Sequence, residues 1–265
     1  MVTGVAHSRA VSDPTLRSRR PGYGARTAGS KCHDGTMPRA TSPATSKKSS
    51  GPVVGFGPAA FEFYEGLEAD NSKTYWEAHK PTFVGSIKEP MERLLTTLEP
   101  EFGQWHVFRP NRDVRFSKDK RPYKEHTGGY AETEDSVGYY VQVSAQGLLV
   151  GGGWWRSTPQ QIARYRDAVA GPDGAELAKL LAALKKVGYT IGGDIMKTPP
   201  RGFAADHPRV DLLKHRSLTL MTEWEPDAWM EGPELVKTVR TVWRKCRPTL
   251  EWLAQHVGPA EDPDA

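Results

Sequence analysis

Tyr139-Tyr-Val-Gln-Val-Ser-Ala-Gln-Gly-Leu-Leu-Val-Gly-Gly-Gly153 holds two apolar runs joined by a short polar turn. Tyr139 to Val143 alternates with the two-residue period of a half-buried strand. Ser144-Ala-Gln-Gly147 has turn composition, and Leu148-Leu-Val150 resumes the apolar pattern. Such a pair closes as an antiparallel β-hairpin.

On either side the period becomes helical. Upstream, Pro58 stands where a helix can begin, because its missing N–H is not needed in the first turn. Phe61, Tyr64 and Leu67 follow at helical spacing up to Asp70-Asn71. A second helix carries Tyr75, Trp76 and His79. A third runs from Pro81 through Phe83, Ile87, Met91, Leu94, Leu95 and Leu98, with Pro90 inside it to kink or restart it. Downstream, Thr158-Pro-Gln-Gln161 is a capping box that opens a helix to Ala170. Asp173 caps a helix from Glu176 to Val187 that Gly188 ends. A last helix runs from Pro233 to about His256, with a kink near Pro248. Val107-Phe-Arg109, Val114-Arg-Phe116, Tyr189-Thr-Ile191 and Ser217-Leu-Thr-Leu-Met221 read as further strands. Strands grouped between helical runs predict an α+β fold: a mostly antiparallel sheet with hairpins, packed against N-terminal and C-terminal helices.

The chain has 265 residues, 37% of them hydrophobic and 26% charged, enough for a core without a disulfide or metal staple. No stretch approaches the ~18 consecutive apolar residues of a spanning helix, so no membrane association is expected. Two cysteines, Cys32 and Cys246, exclude a disulfide framework and a Cys-based zinc site, and a cytoplasmic location is expected. The formal net charge of +4 is unevenly divided. Residues 1–50 carry nine basic and two acidic side chains, a net +7, which leaves −3 for residues 51–265. That balance argues against a nucleic-acid footprint over the whole surface. The expected organisation is a disordered basic tail over 1–51, a single domain over 52–257 and a frayed C-terminus over 258–265. The tail lacks the apolar stretch of a secretory signal. It has the composition of a transit peptide without the amphipathic period, and Met37 is an alternative initiator.

Two glycine motifs have structural explanations. Gly55-Phe-Gly-Pro-Ala-Ala60 matches a dinucleotide fingerprint in its letters, but only Val53-Val54 precede it where a full strand is required. Gly151-Gly-Gly153 lacks the following Gly-Lys of a phosphate loop and reads as a strand end where backbones approach closely. No His-Glu-x-x-His, no Gly-x-Ser-x-Gly and no His pair four residues apart is present, so no metal site is expected. The sequence specifies neither a cofactor nor an oligomeric state.

Function concentrates in Phe108-Arg-Pro-Asn-Arg-Asp-Val-Arg-Phe-Ser-Lys-Asp-Lys-Arg-Pro-Tyr-Lys-Glu-His126, which holds seven Arg and Lys against three acids. A strand over Val114–Phe116 would turn Val114 and Phe116 to the core and Asp113 and Arg115 outward, with Ser117–Pro122 as a loop at its end. Arginine offers a planar fork and lysine a mobile point charge. Arg112, Arg115, Lys118, Lys120 and Lys124, with Tyr123 beside them, therefore form a candidate site over 109–126 for an anionic or phosphorylated small ligand. His79 is a candidate base oriented by Asp113, with His126 and then His207 as alternatives. Two rival readings use the same groups. One is a hydrolase or transferase acting on a phosphorylated substrate. The other is nucleic-acid binding with Tyr123, Tyr139 and the Trp154-Trp155 pair as stacking platforms. The plain alternative is a solvated edge strand, in which Asp113 pairs with Arg112 or Arg115 and Asp119 with Lys118 or Lys120.

The run Arg112-Asp-Val-Arg-Phe-Ser-Lys-Asp-Lys-Arg-Pro-Tyr-Lys124 resembles the signature of the domain-of-unknown-function 2461 family of bacteria and fungi. Gly55-Phe56, Phe61, Leu67, Asn71, Tyr75-Trp76 and His79-Lys80 are similar to that family's opening, with Asp70 where it has a first Asn and Tyr75-Trp76 where it has Trp-Phe. Tyr139-Tyr140, Gly151 to Trp154, Pro200-Arg-Gly-Phe203, Asp206-His-Pro208 and Leu212-Leu-Lys214 extend the resemblance over about 52–256. It implies a compact α+β domain and no particular activity.

Overall fold

The computed structural model of the chain describes residues 55–259 apart from 116, 135 and 156. The expected basic tail over 1–51 lies outside the described residues, as do residues 260–265.

Helix α1, Pro58–Ala69, starts at the proline as the sequence predicts and buries Phe61, Phe63, Tyr64 and Leu67. Helix α2, Lys73–Phe83, begins at Ser72, whose Oγ accepts the Tyr75 N–H at 3.1 Å. The expected third helix does not start at Pro81, which lies inside α2. The chain instead passes through a π-helical turn, Val84–Lys88, into α3, Glu89–Phe102. Pro90 in the first turn of α3 accounts for the turn, because it donates no N–H and its ring crowds the carbonyl four residues back. The wider turn, in which the Glu89 N–H reaches the Val84 carbonyl, relieves both.

Six strands form one sheet in the order β1-β2-β3-β4-β6-β5, and every neighbouring pair is antiparallel. They are β1 (Trp105–Val107), β2 (His126–Glu134), β3 (Val137–Ser144), β4 (Gly147–Trp154), β5 (Thr190–Gly192) and β6 (Leu218–Trp224). The β3–β4 hairpin pairs Tyr139 with Gly152 and Val143 with Leu148, and Gly147 turns the chain at φ +109°. The glycine run is not a strand end: β4 continues through Gly151–Gly153. A Cβ at Gly151 would stand 1.8 Å from the Leu220 carbonyl oxygen, and one at Gly153 2.4 Å from that of Leu218, so the β4–β6 pairing requires glycine there.

Helix α4, Pro159–Ala170, opens with the expected capping box between Thr158 and Gln161. Helix α5, Gly174–Lys186, starts two residues early, and its Asp173 makes no side-chain cap. Gly188, at φ +94°, ends it. A short α6, Val210–Leu213, and a 3-10 turn, Ala228–Glu231, precede α7, Glu234–Val257, which runs on through Pro248.

The alternation of β3 sorts the sheet into two faces. Tyr139, Val141 and Val143, with Leu148 and Val150 beside them, are buried on one face. Each fully buried Leu or Val there contributes about 1.5–3 kcal/mol. The helices gather on this face. Tyr64 of α1 donates to Thr127 Oγ1 at 2.7 Å, Trp243 of α7 lies 5.2 Å from Tyr139, and Tyr165 of α4 lies 5.4 Å from Trp154. By strand parity the other face carries His106, Tyr130, Tyr140 and Gln142, which take none of these contacts. The architecture is α+β, as the sequence predicts.

Candidate functional site

The basic segment leaves the sheet at β1 and returns at β2. Its neck closes where Asn111 pairs with Tyr123: the Arg112 N–H donates to Pro122 O and the Lys124 N–H to Pro110 O, both at 2.8 Å. Asn71, just before α2, grips the same neck from the helical side. Its Nδ2 donates to Tyr123 O at 3.1 Å, and its Oδ1 accepts the Tyr123 N–H at 3.0 Å. The Tyr123 ring is buried and stacks on Trp76 at 4.3 Å, with 8° between the planes. Tyr123 therefore anchors the loop in the core.

The strand expected over Val114–Phe116 is absent among its described residues, and Phe116 itself lies outside them. Short polar side chains capture the backbone instead. Asp113 Oδ1 accepts the Arg115 N–H at 3.2 Å, Ser117 Oγ the Asp119 N–H at 3.1 Å, and Asp119 Oδ1 the Arg121 N–H at 3.1 Å. Such bonds compete with a ladder and favour turns. The neighbouring strand is displaced as well, to Trp105–Val107.

The same acids hold the arginines. Asp113 binds Arg115 through Nε at 3.0 Å and Nη2 at 2.6 Å. Asp119 binds Arg112 and also Arg121, the latter with Nη2 at 2.7 Å. Glu125 binds Arg121 and also Arg112, at 3.4 Å. Lys120 Nζ donates to Val114 O at 2.9 Å. The hydrogen bonds from Arg115 hold the Asp113 carboxyl down at about 2, and those from Arg121 hold Asp119 well below the usual range. Lys118 is exposed at the loop tip.

The neck differs from the tip. Lys124 is partly buried, with Nζ 5.2 Å above the Phe108 ring. Burial, then Arg109 and Arg112, push its pKa down. His126, the first residue of β2, is held at about 4 by burial, then by Lys124 and Arg112. Arg112, Lys124 and His126 are thus brought together with Arg109, a residue outside the sequence-predicted set. Arg115, with its side chain 76% exposed, turns to Asp113 instead.

The histidines separate. His79 Nδ1 lies 2.9 Å from Tyr75 O and its ring stacks on Tyr75, while Asp113 is engaged with Arg115; no hydrogen bond joins His79 to Asp113. His207 accepts the Arg209 N–H at 3.0 Å in the segment before α6. The expected stacking set is also redistributed. Tyr123, Tyr139 and Trp154 are buried in the core, whereas Trp155 is half-buried on the opposite face, 6.2 Å from Tyr140. The alternation of β3 carried that signal: with Tyr139 inward, Tyr140 must face outward.

A depression of about 300 Å³ opens between β6 and α7, lined by Val187, Tyr189, Trp224, Lys237 and Lys245 among others, and none of the sequence-predicted site residues lines it. Among the described residues no group of three or more His, Cys, Asp or Glu could hold a metal ion, and no helix is long and apolar enough to cross a membrane. A family model described as a conserved hypothetical protein (DUF2461) matches residues 59–252. No curated protein matches the chain.

Proposed function

We propose, for a chain that belongs to the DUF2461 family of conserved hypothetical proteins, that the corner formed by Arg109, Arg112, Lys124 and His126 binds an anionic or phosphorylated ligand. The observation that carries this reading is the gathering of cations at one partly buried corner: burial first, and the neighbouring cations second, drive Lys124 and His126 toward their neutral forms. An incoming anion relieves that repulsion, with Arg109 offering a fork and Lys124 a point charge. The neck is already fixed by Asn71 and Trp76, so little ordering is left to binding. An acid–base role for His126 has less support, because a pKa near 4 makes a feeble base at neutral pH.

The test is a thermal-shift titration with inorganic phosphate, pyrophosphate and sulfate, in which a native-state binder raises Tm by mass action. Arg109→Ala with Lys124→Ala should abolish the shift, and Arg115→Ala, whose pair with Asp113 is exposed, should retain it. Equal shifts in all three proteins would refute the assignment.

A further inference from the structure

The face of the sheet away from the helices carries a row of rings. Trp155, Tyr140, Phe108, Tyr130 and His106 follow one another with centroids 6.2, 6.5, 5.1 and 5.8 Å apart. Three strands contribute to it: Tyr140 stands on β3, Tyr130 on β2 and His106 on β1, and Phe108 follows β1. Phe108, Tyr140 and Trp155 are half-buried and His106 is exposed. Tyr140 lies across a glycine: a Cβ at Gly128 would meet its hydroxyl at 2.4 Å and its ring at 2.9 Å. The outer end of the Tyr140 ring thus passes over the Gly128 backbone, and the residue is half-buried. Its hydroxyl, donating to Gln142 Oε1 at 2.9 Å, holds it there.

Charge is distributed along this row. Lys124 reaches over Phe108, Arg109 is the next residue, and Lys118 and Lys120 stand on the loop beyond. Glu223, paired with Leu149, is exposed on the same face toward the far side of the sheet. Positive charge therefore gathers at the Phe108 end of the row, while Glu132, exposed on the same face two residues beyond Tyr130, sets a carboxylate near the other rings.

We infer that this face is a stacking platform for single-stranded nucleic acid, with bases on Tyr140 and Trp155 and phosphates along Arg109 and Lys124. The inference rests on the anion-binding reading above and assigns its ligand class. Every base offers a π-face, so such a surface needs no sequence-specific hydrogen bonds. A row of five rings outreaches one base, which favours an oligomer over a free nucleotide. The net −3 of residues 51–265 confines the electrostatic footprint to this corner. With two or three phosphates neutralised, log K should fall with log salt at a slope of about −1.4 to −2.1.

The test measures fluorescence anisotropy of a labelled oligothymidylate, with inorganic polyphosphate and thymidine monophosphate as competitors. The proteins are the wild type, Trp155→Ala, Trp155→Phe, Tyr140→Leu and Lys124→Ala, each checked for an intact Tm. The expected result is that Trp155→Ala and Tyr140→Leu each weaken the oligonucleotide about tenfold or more and leave polyphosphate unchanged. Trp155→Phe, which keeps a ring, should retain most of the affinity, and this holds the inference to account if Tyr140→Leu lowers Tm. Polyphosphate and oligonucleotide binding alike, with no effect of the ring variants, overturns the platform and leaves the anion site standing. The mononucleotide binding as tightly as the oligomer overturns the choice of a nucleic-acid strand. Binding of neither polyanion overturns both readings.

Discussion

Replacing Asn71 by Ala should loosen the basic loop before it affects the sheet. Asn71 supplies both partners of the Tyr123 peptide group: a donor to its carbonyl at 3.1 Å and an acceptor for its N–H at 3.0 Å. Each such bond is worth about 0.5–1.5 kcal/mol net, and buried groups left unpaired move the cost toward the top of that range. The two together give about 2–3 kcal/mol. For a domain of this size 1 kcal/mol moves Tm by about 2–4 °C, so Tm should fall by about 4–12 °C. Urea unfolding followed by tryptophan emission should show a lower midpoint with an unchanged slope. Amide exchange at Tyr123, Arg112 and Lys124 should accelerate more than at Val141 or Val150, because the neck opens locally while the hairpin stays paired. A midpoint change worth less than about 0.5 kcal/mol, with unchanged exchange at Tyr123, would mean that the Trp76–Tyr123 stack holds the neck unaided, and the role given to Asn71 would be refuted.

Gly151→Ala should destabilise by about 3 kcal/mol or more in the same urea assay, since its Cβ would drive into the Leu220 carbonyl and part β4 from β6; a near-neutral result would refute the close approach. Arg115→Ala should leave Tm unchanged, because its pair with Asp113 is solvated, and a large drop would show a buried role. His126 gives a pH test with a definite sign. Its pKa falls from 6.5 to about 4 on folding, so the unfolded chain binds this proton first. Stability should therefore decline as pH drops from about 6.5 to about 4, and His126→Asn should flatten that window; an unchanged slope in the variant would refute it. Sulfate, relieving the crowding from Lys124 and Arg112, should raise the His126 pKa and bind more tightly at pH 5 than at pH 7, as isothermal titration can measure.

The hairpin, the proline start of α1 and the capping box of α4 were legible because each rests on a local signal: alternation, a missing N–H, a reciprocal pair of side chains. Strand β2 was not, because Gly128-Gly129 and Glu132 erase the alternation that Thr127 and Ala131 would carry. Its two glycines are explained only by neighbours distant in sequence, Tyr140 over Gly128 and Leu95 against Gly129. Gly151 to Gly153 misled for the same reason. A glycine run at the end of an apolar stretch looks like a boundary until the carbonyls of β6 are placed beside it. The α2–α3 junction needed the packing of Phe83 and Ile87, both buried, to show that the helix passes Pro81 and widens only before Pro90.

At the candidate site, a count of charges singles out the segment but not how its cations are partnered. Seven cations and three acids sum to +4 wherever the partners lie. The structure spends the three carboxylates on three guanidiniums, Arg112, Arg115 and Arg121, so the surplus falls on Arg109, Lys118, Lys120 and Lys124. Two of these stand on the loop: Lys118 is solvated, and Lys120 is tied to a backbone carbonyl, where a charge attracts little that water does not already screen. Lys124 instead lies in the partly buried neck, where the exposed Arg109 lowers its pKa and it in turn lowers that of His126, next to a sheet face of half-buried rings. Charge acts more strongly where water is partly excluded, so the partly buried Lys124 counts for more than the two exposed lysines on the loop. That is why the functional reading moves inward from the loop signature to the junction of β1 and β2.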